Sequence, residues 1–332
     1  TEALRVLDQC VKLYSAIPDA KQRQLVQGEA KKIKGKIHYY VNAYDESQAS
    51  FSEAETLYEL ANDHRGLAAI YNNQAVLYMF QGDWEKSEQL FLRSLKLEKE
   101  NYNLNGISVC YNNLGSLMDD KGDTQRSIYY LEEALKLQKM LNEPYNITNI
   151  YNNIGVTLMD HNEFAKAEDA LKKSLQTAQD FGFFRNMVAS LNNLGALYFK
   201  KGDWNQSIDF YEQAIQKSEE NNFTEGMLRS FTNLGEVYEK QGELNLAYDL
   251  CFKGLELLPL VSDDYIKAEL HGNLGSVLTK LHKFKEAYSY LVDSLDYFKS
   301  INSWDKIIEG FQKQAEYFIL TRNYDSADYY IS

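Results

Sequence analysis

Between residues 111 and 118 the apolar and small side chains fall at Tyr111, Leu114, Gly115 and Met118, spacings of three, one and three that put them on one face of a helix. A second stretch repeats the helical spacing with Ser127, Leu131 and Ala134. Between them lies Lys121-Gly122-Asp123-Thr124, a turn signal, so the segment predicts two helices joined by a tight turn. The whole pattern returns every 40 residues. Tyr111-Asn112-Asn113-Leu114-Gly115 is echoed by Tyr151-Asn152-Asn153-Ile154-Gly155, Leu191-Asn192-Asn193-Leu194-Gly195, Phe231-Thr232-Asn233-Leu234-Gly235 and His271-Gly272-Asn273-Leu274-Gly275, and upstream by Tyr71-Asn72-Asn73-Gln74-Ala75. A fixed period of this length with helical spacing predicts a stack of helix hairpins, each burying its face against its neighbours.

The turns keep one chemistry: Gln81-Gly82-Asp83-Trp84, His161-Asn162-Glu163-Phe164, Lys201-Gly202-Asp203-Trp204, Gln241-Gly242-Glu243-Leu244 and Leu281-His282-Lys283-Phe284. Gly or Asn accepts the left-handed conformation that closes the first helix, and the Asp or Glu after it favours the start of the second by capping and by the helix dipole. Small residues recur where helices cross, as Gly155, Gly195, Gly235 and Gly275 in the register of Gly115, and as Ser94, Ser174, Ala214, Gly254 and Ser294 in that of Ala134. They allow the helices to approach closely. Residues 1–20 read as a leading helix or the remnant of a preceding repeat, broken at Ile17-Pro18. The first pair in register, near Leu25–Val41 and Tyr44–Leu60, is the most degenerate. The last unit, from Trp304, stops short of the position equivalent to Ala134, which suggests a fragment of a longer polypeptide.

The combination aromatic-x-x-Leu-Gly-x-x-Tyr, Gly-Asp-Trp/Phe-x-x-Ala/Ser and Phe/Tyr/Leu-x-x-Ala resembles the tetratricopeptide repeat over nearly the whole chain. The resemblance implies an all-α, right-handed α-solenoid of about eight helix-turn-helix repeats across residues 21–332, the last one truncated. The period of 40 exceeds the family's usual value of about 34 and resembles the longer-repeat class of G-protein-signalling modulators and kinesin light chains.

A second stripe on the first helix, Val109, Asn113, Ser116 and Asp120, lies off the core face. The resemblance assigns it to a concave groove. Its most regular position is Asn: Asn73, Asn113, Asn153, Asn193, Asn233 and Asn273. Asn costs about 0.5 kcal/mol against Ala in a helix, so the row needs a reason. A carboxamide complements a peptide unit, and such a row is able to hold an extended backbone. Two alternatives stay open: the side chains bridge adjacent repeats, or they record duplication. The second fits poorly, because the register of Asp120 has diverged to Phe80, Asp160, Lys200, Lys240 and Lys280. A weaker companion run, Asn72, Asn112, Asn152 and Asn192, breaks at Thr232. The divergence gives the groove a direction. Val76, Met79 and Phe80 make its start apolar, Asp120 and Asp160 the next part acidic, and Lys200, Arg229, Lys240 and Lys280 lie toward its end, mixed with Glu236 and Glu239; Val156 and Phe199 offer further pockets.

Composition narrows the function. A net charge of -13 opposes binding of the whole surface to nucleic acid or an anionic membrane. No apolar run approaches the roughly 18 residues of a membrane span. The three cysteines, Cys10, Cys110 and Cys251, are far apart and read as free thiols of a reducing, cytoplasmic compartment. His38, His64, His161, His271 and His282 form no metal-ligand motif, and His271 with His282 is the nearest approach to one. Glu132-Glu133 and Glu219-Glu220 read as solvated faces. No catalytic residue, metal or cofactor is expected. The expected function is a protein-interaction scaffold binding an extended peptide or partner segment. The alternative is a sensory or regulatory arm of a larger signalling protein, its groove taking a signal peptide or a sibling domain of the same polypeptide.

Overall fold

The computed structural model describes residue 14, residues 17–301 and residues 303–331. The expected leading helix and Cys10 lie outside the described residues, apart from the last residues before Ala20. Among the described residues there are sixteen α-helices and no strand. They form an all-α solenoid of paired helices that divides into two compact units. Unit 1, Thr1–Glu143, holds α1 (Ala20–Tyr40), α2 (Tyr44–Ala61), α3 (His64–Phe80), α4 (Trp84–Glu100), α5 (Leu104–Asp120) and α6 (Thr124–Leu141). Unit 2, Pro144–Ser332, holds α7 (Pro144–Asp160), α8 (Phe164–Phe181), α9 (Phe184–Lys200), α10 (Trp204–Glu220), α11 (Thr224–Gln241), α12 (Leu244–Leu257), α13 (Asp264–Lys280), α14 (Phe284–Ser300), α15 (Trp304–Leu320) and α16 (Tyr324–Ile331).

The helix boundaries follow from the turn chemistry. Gly82, Gly122, Asn162, Gly202 and Gly242 all have positive φ, and Asp83, Asp123 and Asp203 each accept a hydrogen bond from the backbone N–H three residues on. Glu163 and Glu243 occupy the same register without a side-chain cap bond. Their extra methylene leaves only the dipole contribution, whereas the shorter Asn323 in the same register caps as the Asp residues do, accepting from the Ser326 N–H at 3.3 Å. His282 takes the left-handed position at φ 58 with Lys283 after it, neither suited to its place. A non-glycine residue there costs about 1 kcal/mol, so His282→Gly is expected to raise the thermal midpoint; an unchanged or lower midpoint would show that the ring's edge contact with Phe284 matters more.

The turns that return each second helix to the next pair repeat as well, with positive φ at Asn62, Tyr102, Asn142, Gly182 and Asn222. That register was legible in the sequence as four Asn or Gly residues out of five, but it lay outside the pattern built on the first turn.

Leu114, Met118, Leu131, Ala134 and Ser127 are fully buried, as the helical spacing predicts. The first helices are buried on a further face too: Leu77 and Leu117 in unit 1, and Thr157, Leu197, Val237 and Val277 in unit 2, share one register and are at most 2% exposed. The cause is packing. Inside each unit a first helix touches its own partner, the second helix of the pair before it where that pair lies in the same unit, and the adjacent first helices. Small polar residues at the crossings are bonded rather than merely tolerated. Ser87 donates to the Ala75 carbonyl at 2.9 Å, Ser207 to that of Gly195 at 2.8 Å, and Ser174 reaches both the Thr148 carbonyl and Ser190.

Candidate functional site

In unit 2 consecutive first helices touch one another, α7 with α9, α9 with α11, α11 with α13 and α13 with α15. This layer is therefore the tighter one, and its outward stripe forms the inner face of the unit. In unit 1 the same relation holds for α1, α3 and α5.

The Asn row on this face is interlocked. Asn113 Nδ2 donates to Asn72 Oδ1 at 2.9 Å in unit 1. In unit 2 Asn193 donates to Asn152 Oδ1 at 2.8 Å, Asn233 to Asn192 Oδ1 at 3.5 Å, and Asn273 to the Thr232 carbonyl at 3.2 Å. Each bond steps back 41 residues, from the second Asn of one repeat to the first Asn of the repeat before. Where that first Asn becomes Thr232, its backbone carbonyl takes over as acceptor. Lys313, in the Asn register, ends the series by donating to Asn273 Oδ1 at 2.9 Å. Bridging between repeats thus supplies a structural reason for the row, and it explains why the two Asn runs travel together. Asn273 is buried, whereas Asn73, Asn113, Asn153, Asn193 and Asn233 are half-buried.

The other residues expected to line a groove fall into the same two units. Val76 and Met79 are half-buried against the core of unit 1, while Phe80 is 58% exposed with its ring edge-on to Tyr39. Asp120 is exposed at the end of α5; desolvation by the surrounding chain and the nearby Asp119 carboxylate push it up to about 6. In unit 2 Val156 is half-buried, and Phe199 packs against Tyr211, Leu234 and Val237.

The charges do not remain a gradient of free lysines. Lys200 pairs with Asp160 at 2.6 Å, and Arg229 faces Asp263 at 3.5 Å. Lys280 pairs with the buried Glu239 at 2.7 Å, and Ser276 donates to the same carboxylate at 2.6 Å. Lys306 joins Glu269 on α13, at 2.8 Å, to Glu309 on its own helix, at 3.2 Å, and Lys313 also holds Glu309, at 2.6 Å. Lys240 stays exposed.

Burial alone would raise the Glu309 carboxyl, but Lys313 and Lys306 outweigh it and hold it at about 2. A carboxyl depressed on folding stabilises above its unfolded pKa of about 4.3 and loses that contribution as pH falls toward the folded value. Acid titration of unfolding is therefore expected to show a loss of stability between about pH 4 and pH 2 that is smaller in Lys313→Gln.

His271 is buried against the Tyr290 ring and 3.6 Å from Asp293, and His282 sits in its turn. Among the described residues no group of three or more His, Cys, Asp or Glu is placed to hold a metal ion. Cys110 and Cys251 are free and buried, their thiols pushed up by desolvation to about 11 and about 12. Among the described residues no helix is long and apolar enough to cross a membrane.

The model of the tetratricopeptide repeat family matches residues 66–140, 146–220 and 186–250, more than half of the chain. The chain belongs to the tetratricopeptide repeat family. That match is to the repeat family as a whole and does not single out the G-protein-signalling modulator or kinesin-light-chain class. No curated protein matches the chain by sequence.

Solved structures share its fold. Aspartyl phosphate phosphatase F from Bacillus subtilis superposes with a TM-score of 0.69 over 99% of this chain and 91% of that one, at 12% identity. The apo quorum sensor NprR from B. thuringiensis gives 0.64 over 98% and 90%, at 17% identity. NprR in complex with its cognate peptide NprX gives 0.59 over 90% and 87%, at 16% identity.

Proposed function

We propose that this tetratricopeptide repeat chain is the peptide-binding arm of a regulatory or signalling protein, with the inner face of unit 2 receiving an extended peptide. The observation that carries the reading is the row of carboxamides fixed in register by its own ladder. Asn193 and Asn233 each commit one N–H to the preceding repeat. A carboxamide has a second N–H and an acceptor oxygen, and among the described residues the Oδ1 atoms of Asn193 and Asn233 accept no hydrogen bond. The ladder holds them in one orientation before a ligand arrives, which lowers the ordering cost of binding. A regulatory arm is favoured over a free-standing scaffold by the likeness in fold to a quorum sensor that has been solved with its cognate peptide.

The test is to pan a displayed random heptapeptide library on the folded chain and to measure the enriched peptides by fluorescence polarisation. The double variant Asn193→Ala/Asn233→Ala is expected to bind them about tenfold more weakly, the worth of two hydrogen bonds near 0.7 kcal/mol each. It is expected to stay folded, because each lost ladder bond of about 1 kcal/mol is partly offset by about 0.5 kcal/mol of helix propensity. Failure to enrich any peptide, or undiminished binding by a folded variant, would overturn the reading.

A further inference from the structure

The inner face at α11, α13 and α15 encloses a cavity of about 220 Å³ whose lining includes Glu236, Glu239, Lys280, Glu309, Lys313 and Glu316. A smaller one of about 20 Å³ adjoins it, and Glu236, Glu309 and Lys313 line both. Nearly every charge here is matched. Lys280 neutralises Glu239 and lies 3.9 Å from Glu316, Lys306 and Lys313 share Glu309, and Lys306 also holds Glu269. Glu236 and Lys240, which also lines the larger cavity, are the remainder: among the described residues the Glu236 carboxylate makes no hydrogen bond and no ion pair. Its register reads Val76, Ser116, Val156 and Ala196 in the four preceding repeats, so helix packing does not call for an acid there. Lys240, one helical turn on, is exposed and makes no ion pair among the described residues.

We propose that Glu236 is the seat of an arginine side chain of the bound peptide, whose guanidinium enters the cavity between α11 and α15 and pairs with the Glu236 carboxylate. This rests on the peptide-binding reading of the same face. A half-buried carboxylate without a partner is disfavoured, and desolvation raises the Glu236 carboxyl. An incoming cation removes that penalty and completes the charge balance. Guanidinium suits the seat better than ammonium. It is more weakly hydrated, keeps its charge when buried, and presents a planar fork to a carboxylate.

The probes are positional-scanning pools of acetylated, amidated heptapeptides with either arginine or its uncharged isostere citrulline fixed at each position in turn. At one position the wild-type chain is expected to bind the arginine pool about tenfold more tightly than the citrulline pool. Glu236→Gln, which keeps the shape, should erase that difference while leaving citrulline binding unchanged. Lys240→Gln removes a competing cation and should keep or enlarge it. No arginine preference at any position, or a preference that persists in Glu236→Gln, overturns the proposal while pool binding itself stands. Absence of binding by every pool overturns the peptide reading and this seat together.

Discussion

Gly155→Ala is expected to destabilise the protein by about 1–2 kcal/mol, whereas Gly235→Ala, in the same register two repeats on, is expected to stabilise it by about 0.5–1 kcal/mol. The two glycines differ in what lies across the hairpin. A Cβ at Gly155 would stand 2.5 Å from Leu171 Cγ and 3.3 Å from the Leu171 backbone nitrogen. Leu171 is fully buried, and the backbone atom has no freedom to withdraw. A Cβ at Gly235 meets nothing nearer than Cys251 Sγ at 3.6 Å, ordinary contact. Every glycine inside a helix costs about 0.5–1 kcal/mol against Ala, so the change at 235 collects that gain without a clash. At 155 overpacking of about 1–3 kcal/mol outweighs it. Thermal or urea denaturation of the two variants decides the matter. Shifts of the same sign would mean that helix crossing does not select these glycines.

Lys306→Ala is expected to cost about 1–3 kcal/mol, less than the 3–5 kcal/mol of a fully buried pair because its partners keep some contact with water. The ammonium ties Glu269 on α13 to Glu309 on α15, with Glu269 only 17% and Lys306 27% exposed in their side chains. Removing it leaves two carboxylates in a partly desolvated site with only Lys313 to balance them. Removing the opposing charge as well should help, since the larger part of such a loss comes from the unpaired ion left behind. The double variant Lys306→Met/Glu269→Gln is accordingly expected to recover most of the stability. A double variant as unstable as Lys306→Ala would assign the effect to packing of the lysine stem instead.

The helices were legible in the sequence because their signals are local. The 40-residue period places the second helices at Trp84, Thr124, Phe164, Trp204, Leu244, Phe284 and Tyr324 in a single register. The cap at Asp123 and the left-handed turn at Gly122 act within four residues of themselves, so a short window contains everything that decides them. The inner-face stripe was legible only as a list of positions. Nothing within a turn of Asn193 says that its amide goes to Asn152, because the partner is a whole repeat away. The one trace is that Asn runs at two adjacent positions travel together until Thr232.

Charge shows the same division. Along the sequence Lys200, Arg229 and Lys280 read as a basic end to the groove, mixed with Glu236 and Glu239. Stacking brings Asp160, Asp263 and Glu239 against them, and among the described residues at that end of the unit the acid Glu236 and the exposed Lys240 are left without an ion pair. Sequence alone determined the repeat family, the positions of the helices and which residues share a face, because backbone propensity and periodicity act over a few residues. Only the tertiary structure decided which carboxamides are tied to each other and which charges cancel, because those pairings join atoms about 40 residues apart whose meeting depends on how the repeats are stacked.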